Sequence, residues 1–252
     1  MVIEFPEENR IPQLRQLWKI AFGDTEEFLD VFFSTGFSPE RCRCVTQGDA
    51  LAAMLYWFDC DCNGQKLAYL YAVATHPDYR NRGLCRKLMA DTHAVLAEQG
   101  YAGGVLVPQQ EPLRKMYASM GYADCGAVSA INCFLAEDGV SLRRIDGEEF
   151  VSLRRQYLPG GGVIQEGESI AFLARTYELY AGEDFLLTAF LEDGFLFGAE
   201  LLGNRDAAPG ILKTLGCLRG RFRTPGDTMP FAMFCPLAEN AVPPTYFGLA
   251  FD

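Results

Sequence analysis

Hydrophobic and polar positions along the chain follow two periods, and the clearest change between them falls within residues 67–100. Residues 67–75 are almost wholly apolar, as in a buried strand, and residues 76–82 form a polar turn. Beyond the turn, apolar residues recur every three or four positions, which predicts an amphipathic helix ending at Gly100. We expect the rest of the chain to pack around this strand, turn and helix.

The same two periods predict the elements of the first half. Strands are predicted at residues 3–5, 41–46, 51–59, 67–75, 101–107 and 125–135, and helices at residues 11–22, about 25–33, 84–100 and 111–120. Turns at residues 47–49 and at Asn63-Gly64 join consecutive strands as hairpins. The glycines Gly103 and Gly104 inside a strand indicate a bulge or the close approach of another group. This order predicts a mixed α/β (α+β) fold, with a mixed sheet flanked by helices.

After residues 137–139 the pattern partly restarts. Helices are predicted at residues 147–157 and 168–180, separated by the flexible segment 159–162, and strands at residues 185–191, 195–202, 210–216 and 230–235. Helices followed by a hairpin resemble the order of the first half. We therefore predict two domains, residues 1–138 and 139–252, the second a truncated copy of the first fold.

Composition narrows the classes of partner. The chain has 252 residues, of which 49% are hydrophobic, and a formal net charge of −11. No apolar run approaches the roughly 20 residues of a membrane-spanning helix, and the acidic N-terminus does not resemble a signal peptide. Because nucleic acids and anionic membranes require a basic face, we expect neither as a partner. We predict a cytoplasmic location. The charge mildly favours a cationic partner, although solubility explains it equally.

The nine cysteines are predicted to be reduced and mostly buried. Two Cys-x-Cys pairs, Cys42/Cys44 and Cys60/Cys62, raise the alternative of a zinc site. If residues 41–46 pair with residues 51–58, Cys42 lies opposite about Leu55. Cys60 is then about 16 Å further along the strand, at about 3.3 Å per residue. Four ligands cannot converge over that distance, so we expect no metal.

The candidate chemistry lies at the start of the helix that follows the polar turn. Arg80, Arg82 and Arg86 surround Gly83, where a helix N-terminus offers unpaired N–H groups and the positive end of its dipole. Glycine permits close approach of a ligand, and arginines pair with phosphate oxygens. The pattern indicates a pyrophosphate site, although a solvated basic helix start gives the same residues.

Two motifs resemble the Gcn5-related N-acetyltransferase (GNAT) family. Its acyl-CoA motif, Arg/Gln-x-x-Gly-x-Gly/Ala, is matched by Arg80-Asn81-Arg82-Gly83-Leu84-Cys85, with Cys85 in the last small position. The preceding strand and residues 76–79 are similar to the family's lead-in. About 40 residues further on, Tyr117-Ala118-Ser119-Met120-Gly121-Tyr122 resembles the family's Tyr-x-x-x-Gly-Phe. The resemblance covers roughly residues 1–136.

The resemblance implies a GNAT acyl-CoA N-acyltransferase fold with acetyl-CoA as co-substrate, and it assigns roles to residues. Tyr117 is the implied general acid, which protonates the CoA thiolate. The residues implied to bind the cofactor are Val73, Ala74 and Thr75 along the amide arm, Arg80, Asn81, Arg82, Gly83, Leu84, Cys85 and Arg86 around the pyrophosphate, and Gln110, which stands near the asparagine of many members.

The general base is the gap in this assignment. Many members carry a glutamate on the strand that precedes the motif, but residues 67–75 contain no carboxylate. Glu111 and a water relay are two substitutes. A third is Asp252, because the apolar tail 246–252 is predicted to be packed, and in tandem GNAT proteins of the enhanced-intracellular-survival type the chain terminus reaches the transfer site.

Several assignments stay open at this point. The acceptor is a small-molecule or peptide amine of unknown identity, the oligomeric state is unknown, and transfer of a longer acyl or an aminoacyl group is an alternative reaction. A catalytically silent acyl-CoA sensor is the non-enzymatic alternative. Tyr69 and Tyr71 share a strand face and line either the acceptor pocket or the core. Arg219, Arg221 and Arg223 alternate in a strand or turn, either solvated or against an anionic ligand.

Overall fold

The computed structural model describes residues 1–251, which fall into two compact units. Unit 1 comprises Met1–Leu106, Lys115–Tyr122 and Phe234–Pro243, and unit 2 comprises Val107–Arg114, Ala123–Met233 and the residues from Pro244 to Phe251. Unit 2 thus spans the predicted domain boundary after residue 138. The boundary after residue 138 stays a prediction, because a division into compact units is not the same as a division into domains.

Unit 1 is a mixed sheet with helices packed on it. Its strands are β1 (Val2–Glu4), β2 (Cys42–Gln47), β3 (Ala50–Cys62), β4 (Gln65–Thr75) and β5 (Gly103–Leu106), and its helices are α1 (Ile11–Phe22), α2 (Glu26–Val31) and α3 (Leu84–Glu98). A π-helical turn, Phe32–Gly36, continues α2. The strand order is β1-β2-β3-β4-β5; the first four strands are antiparallel, and β5 is parallel to β4. Helix α4 (Glu111–Ala118) follows β5 in the chain.

The local sequence explains why these elements form where they do. Helix α1 has the predicted bounds, buries Leu14, Leu17 and Trp18, and ends at Gly23, whose φ of 80° is left-handed. The Thr25 hydroxyl accepts a bond from the Phe28 N–H at 3.2 Å and caps α2. The predicted Asn63-Gly64 hairpin turn is confirmed, with positive φ at both residues.

The core of unit 1 is rich in aromatic rings. Rings in mutual contact along α1, α2, β3 and β4 are Trp18, Phe28, Phe32, Phe33, Phe37, Tyr56, Phe58, Tyr69 and Tyr71. Tyr69 is 3% exposed within this cluster, and the half-buried Tyr71 meets Trp18 edge-on at 5.6 Å between ring centroids. Of the two alternatives for these tyrosines, acceptor pocket or core, the structure therefore shows packing in the core.

The register of β2 on β3 differs by one residue from the prediction. Cys42 pairs with Tyr56 rather than Leu55, because a β-bulge between Val45 and Thr46 shifts the pairing set by the hairpin turn. None of the nine cysteines, which all lie within residues 1–251, forms a disulfide, and seven are buried. Among residues 1–251, no group of three or more metal-ligating side chains converges.

Unit 2 also contains parallel and antiparallel strands and has its own helices. Its strands are β6 (Ala123–Phe134), β7 (Arg143–Arg144), β8 (Ile164–Gln165), β9 (Glu178–Ala181), β10 (Phe185–Glu192), β11 (Phe195–Gly203), β12 (Arg219–Pro225) and most of β13 (Met229–Pro236), and its helices are α5 (Gly147–Tyr157), α6 (Glu168–Thr176) and α7 (Ala208–Leu215). The strand order is β6-β12-β11-β10-β9-β7. Helix α7 packs on the sheet through Ile211 and Leu212, against Phe222 and Leu196.

Two predicted elements of unit 2 are wrong. Residues 210–216, predicted as a strand, lie in α7, which has Pro209 in its first turn and ends at Gly216, with a left-handed φ of 71°. The helix predicted over residues 168–180 stops at Thr176. The next residues, Glu178–Ala181, pair with β10 instead, so sheet formation outweighs helical spacing there.

The bounds of α5, Gly147–Tyr157, are those predicted. No helix within the described chain has the length and apolar character needed to cross a membrane.

Candidate active site

The open edge of β4 is the first component of the site. Strand β4 pairs with β5 over only three residues of each strand, from Leu67 with Gly103 to Tyr69 with Val105. Beyond Tyr69, β4 runs on to Thr75 with β3 as its partner on the other edge. The edge beyond Tyr69 therefore carries backbone N–H and C=O groups that β5 does not pair, and such an edge can accept an amide-containing ligand in the manner of an added strand.

A β-bulge interrupts β4 within this open edge. Between the pairs Tyr56–Tyr71 and Met54–Ala74, two residues of β4 face Leu55 alone. Ala72, the first of the two, has φ of 48°, an uncommon conformation for a residue with a side chain. Of the predicted residues, Val73 is the second residue of this bulge, and Ala74 and Thr75 follow it directly. Nothing in the sequence indicated the bulge, because alanine does not mark left-handed positions.

The junction between β4 and α3 supplies exposed backbone amides. A short 3-10 turn, Pro77–Tyr79, follows the strand. Asn81 and Gly83, with φ of 61° and 72°, then flank Arg82 before α3 begins at Leu84. No side chain caps the start of α3 within the described residues, so the first N–H groups of a 15-residue helix lack an intrahelical or capping partner. The predicted anion site has the backbone geometry that it requires.

Arg80 and Arg82 shape this loop while keeping most of their donors in solvent. Arg80 Nε donates to the Thr75 carbonyl at 3.2 Å, and Arg82 Nη2 donates to the Asp78 carbonyl at 2.7 Å. Both side chains are exposed. Because a guanidinium has five N–H donors, each arginine retains others for an anionic ligand.

The side chain of Arg86 contacts the end of α4. Its Nη1 donates to the Ser119 carbonyl at 2.8 Å and its Nη2 to Ser119 Oγ at 2.7 Å. Ser119 Oγ in turn donates to the Met116 carbonyl at 2.6 Å. The guanidinium therefore holds the end of α4, two residues after Tyr117. This contact joins residues far apart in the chain and has no local sequence signal.

Tyr117 lies in a buried group of titratable side chains. It is 6% exposed, and its ring meets Tyr122 edge-on at 5.8 Å between centroids. Burial and the neighbouring Cys85 thiol raise the pKa of Tyr117, and burial raises the pKa of Cys85 as well. The Tyr122 hydroxyl lies 2.8 Å from His93 Nε2, and burial lowers the pKa of His93 to about 4. At neutral pH, Tyr117 thus holds its proton and His93 is uncharged.

The two strand glycines allow close approach to β5, as predicted. A Cβ on Gly103 would lie 2.2 Å from the Phe234 ring, and one on Gly104 would lie 3.2 Å from the Tyr122 hydroxyl. Since real Cβ atoms do not approach so closely, the glycines let these rings pack on the strand.

Two predicted site residues lie outside unit 1 or outside the described residues. Gln110 belongs to unit 2, and its carbonyl accepts bonds from the N–H groups of Leu113 and Arg114 at the start of α4, at 3.0 and 3.2 Å. Asp252 lies outside the described residues. The tail before it is packed in unit 2, as predicted: Tyr246, Phe247, Leu249, Ala250 and Phe251 are at most 8% exposed.

Comparison with known proteins finds a family match in the first half of the chain. Residues 3–125 match the acetyltransferase (GNAT) domain, whereas no curated protein matches the chain. Among solved structures, GCN5-related N-acetyltransferases from Anabaena variabilis and Kribbella flavida superpose with TM-scores of 0.71 and 0.69 at 16% and 18% identity. They cover 94% and 92% of this chain, and 73% and 70% of their own chains.

Eis1 from Mycobacterium abscessus superposes with a TM-score of 0.66 at 11% identity, over 94% of this chain and 74% of its own. At such identities the likeness establishes the fold, and it extends through both units. The protein therefore carries a GNAT acetyltransferase domain in residues 3–125, on a fold shared with solved GNAT acetyltransferases over more than nine-tenths of the chain.

Proposed function

We propose that the protein transfers an acetyl group from acetyl-CoA to an amine in a ternary complex. The observation that carries the proposal is the combination in unit 1 of an open β4 edge, an uncapped α3 N-terminus behind a left-handed glycine, and a buried tyrosine. A GNAT-like domain that bound no cofactor would not need these three features together.

Acetyl-CoA fits the chemistry of this surface. The amide arm would lie along Val73, Ala74 and Thr75, where strand-like hydrogen bonds are open. The pyrophosphate would lie at the N–H groups of Leu84, Cys85 and Arg86, since helix N-termini stabilise phosphates. Arg80, Asn81 and Arg82 would border it, and Gly83 allows its oxygens to approach the backbone.

Transfer then needs one bond made, one bond broken and two proton movements. The amine nitrogen attacks the thioester carbonyl carbon, and the carbon–sulfur bond breaks as the CoA thiolate leaves. Tyr117 donates its proton to that sulfur, and a base removes the proton from the new amide nitrogen. The raised pKa of Tyr117 keeps the hydroxyl protonated over the neutral range, as a general acid requires.

The base is proposed less specifically, because Gln65–Thr75 carries no carboxylate. Glu111, a water relay and the Asp252 carboxylates are the three candidates. A short extension after Asp252 tests the last of them. Unchanged turnover by the extended protein would exclude the chain terminus, whereas a loss of turnover with acetyl-CoA binding intact would support it.

The acceptor is proposed only as a class, a small-molecule or peptide amine. The net charge of −11 favours a cationic one. The second predicted domain, residues 139–252, has no counterpart of the Arg80–Cys85 motif. We propose that it is a truncated GNAT-like domain that shapes the acceptor pocket. A cytoplasmic location and the absence of nucleic-acid or membrane partners remain part of this proposal.

The test is turnover of acetyl-CoA with a panel of a polyamine, an aminoglycoside, free amino acids and a lysine peptide. Release of CoA thiol together with an acetylated amine in the mass spectrum would support the proposal. Saturable binding of CoA with no product from any amine would contradict it and favour a sensor. Faster turnover of a longer acyl-CoA would indicate that the protein transfers that longer acyl group rather than acetyl.

A further inference from the structure

A cavity in unit 2 has no role in the acetyl-transfer proposal. It has a volume of about 390 Å³, within the range of small-molecule pockets. Its lining residues are Val107, Pro108, Gln109, Val128, Ala130, Phe190, Phe197, Gly198, Ala199, Arg221, Arg223, Met229, Pro230 and Phe231. Side chains alternate along strands, so Arg221 and Arg223 lie on one face of β12 while Phe222 packs on the other, against α7.

The charge of this cavity is opposite to that of the chain. The protein has a net charge of −11, yet the part of the lining formed by residues 1–251 contains two arginines and no aspartate or glutamate. Arg223 Nη1 donates to the Gly248 carbonyl at 3.0 Å, and its guanidinium lies 4.3 Å from the centroid of the Phe231 ring. The exposed Arg221 forms no side-chain hydrogen bond or salt bridge within residues 1–251. Its guanidinium is therefore available to an anion.

The remaining walls are apolar and partly aromatic. The rings of Phe190 and Phe197 stack nearly parallel, 11° apart with centroids at 4.9 Å. Phe231 and Val128 continue the apolar surface. A bare phosphate would leave these walls in water, and an apolar molecule would leave the guanidinium unused. A ligand that satisfies both carries an anion at one end and a ring or short alkyl body at the other.

We infer that this cavity binds an apolar carboxylate, with its carboxylate paired to Arg221 and its body against Phe190 and Phe197. A carboxylate matches the planar guanidinium fork in two parallel hydrogen bonds. The ligand is thus of the class of arylalkyl or short-chain carboxylic acids. This inference stands on unit 2 alone and does not depend on acetyl transfer.

Calorimetric titration of the full chain with 3-phenylpropionate tests the inference, with 3-phenylpropan-1-ol and inorganic phosphate as the neutral and the purely ionic probes. We expect 3-phenylpropionate to bind at least about tenfold more tightly than either probe, as a charge-assisted contact requires. Equal binding of the alcohol, equal binding of phosphate, or no saturable heat with 3-phenylpropionate would each overturn it.

Arg219 provides a matched control for the arginine. It precedes Arg221 by two residues on β12 but lies outside the cavity, over the Phe195 ring at 5.5 Å. Arg221→Gln should weaken 3-phenylpropionate binding about tenfold, and Arg219→Gln should leave it within about twofold.

Ala130→Phe, which fills the cavity without changing a charge, should abolish binding, with thermal unfolding of each variant confirming the fold. Equal loss in both arginine variants, or full binding by Ala130→Phe, would show that the anion binds elsewhere.

Discussion

One pair of arginines in unit 1 and one buried arginine in unit 2 serve opposite purposes. At the β4–α3 junction of unit 1, Arg80 and Arg82 are exposed, and each donates a single bond to a nearby backbone carbonyl. In unit 2, Arg154 is 2% exposed and donates to both oxygens of Glu200, at 2.7 and 3.0 Å, and to the Val163 carbonyl at 2.8 Å.

The difference lies in how many donors remain for a ligand. An exposed guanidinium with one bond can take up a phosphate without leaving other groups unpaired, whereas a buried and saturated one can only hold the fold. The Tyr246 hydroxyl also donates to Glu200, at 3.0 Å, and the Tyr246 carbonyl accepts from the Val163 N–H at 2.9 Å. The buried pair of unit 2 therefore anchors the C-terminal tail.

The largest effect should come from breaking the buried pair. Glu200→Gln keeps the shape of the side chain but leaves the Arg154 charge buried without a counter-ion, and we expect a loss of about 3–5 kcal/mol in the free energy of unfolding. Equilibrium unfolding in urea measures it. Glu149→Gln is the control, because Glu149 pairs with Arg143 at the surface, where water screens the charges, and this variant should lose far less stability. Similar losses in the two variants would contradict the comparison.

The next largest effect should separate chemistry from binding in unit 1. Tyr117→Phe removes the proposed acid but keeps the ring that packs on Tyr122. We expect kcat to fall about a hundredfold while KM for acetyl-CoA changes by less than about twofold. Initial rates over a range of acetyl-CoA concentrations provide both constants. Tyr180→Phe, a change in unit 2, is the control. An unchanged kcat in Tyr117→Phe would leave that tyrosine a packing residue.

Unit 1 contains a largely buried, uncharged histidine, His93, whereas the buried group of unit 2 is an ion pair. The histidine predicts that stability depends on pH. The folded-state pKa of His93 is about 4, below the usual value of about 6.5. Between these values the unfolded chain binds more protons, so the stabilisation is complete above about pH 7 and is lost as the pH falls towards 4.

At about pH 5, we expect the loss of unfolding free energy to reach about 2 kcal/mol. His93→Gln retains a partner for the Tyr122 hydroxyl but does not titrate, so it should remove most of this loss. Urea unfolding at pH 7.5 and pH 5 measures the difference. His76→Gln, a change in the half-exposed turn before Pro77, serves as the control. The same acid loss in wild type and His93→Gln would exclude His93 as its source.

Local sequence signals were sufficient for much of the fold. Helices α1 and α5 have their predicted bounds because local signals mark their ends: Pro12 lies in the first turn of α1 and Gly23 ends it, and the Asp146 side chain caps the start of α5. The strand predicted at residues 210–216 is wrong, because a short apolar run between glycines fits a strand or a helix, and only packing against the sheet decides between them. Helix α6 ends early for the same reason: pairing of Glu178–Ala181 with β10 is not a local property.

The candidate site divides in the same way. The anion site was predictable, because Gly83 and the arginines around it lie within a few residues of one another. The β4 bulge at Ala72 and the bond from Arg86 to Ser119 were not, since the first depends on pairing with β3 and the second joins two helices. The family resemblance implies that Arg86 lies at the pyrophosphate mainly through its backbone N–H group, and its side chain binds Ser119 at the end of α4.

The smallest expected effect tests whether the backbone at the start of α3 binds the pyrophosphate. Gly83 and Gly216 have φ of 72° and 71°, and a Cβ built on either would have no atom within 4 Å. Alanine at either position therefore carries the same local strain, about 1–2 kcal/mol. The two glycines differ in their place on a helix, because Gly83 starts α3 at the proposed pyrophosphate site, whereas Gly216 ends α7 in unit 2.

Gly83→Ala should raise KM for acetyl-CoA about tenfold, because relief of the strain turns the first amides of α3 away from the ligand. Gly216→Ala should lose the same stability in urea unfolding with KM unchanged. Steady-state rates and direct titration with CoA measure the two effects separately. An equal rise of KM in both variants would mean that strain alone weakens binding. A rise confined to Gly83→Ala would show that unit 1 binds the pyrophosphate through its backbone, with its exposed arginines as additional donors.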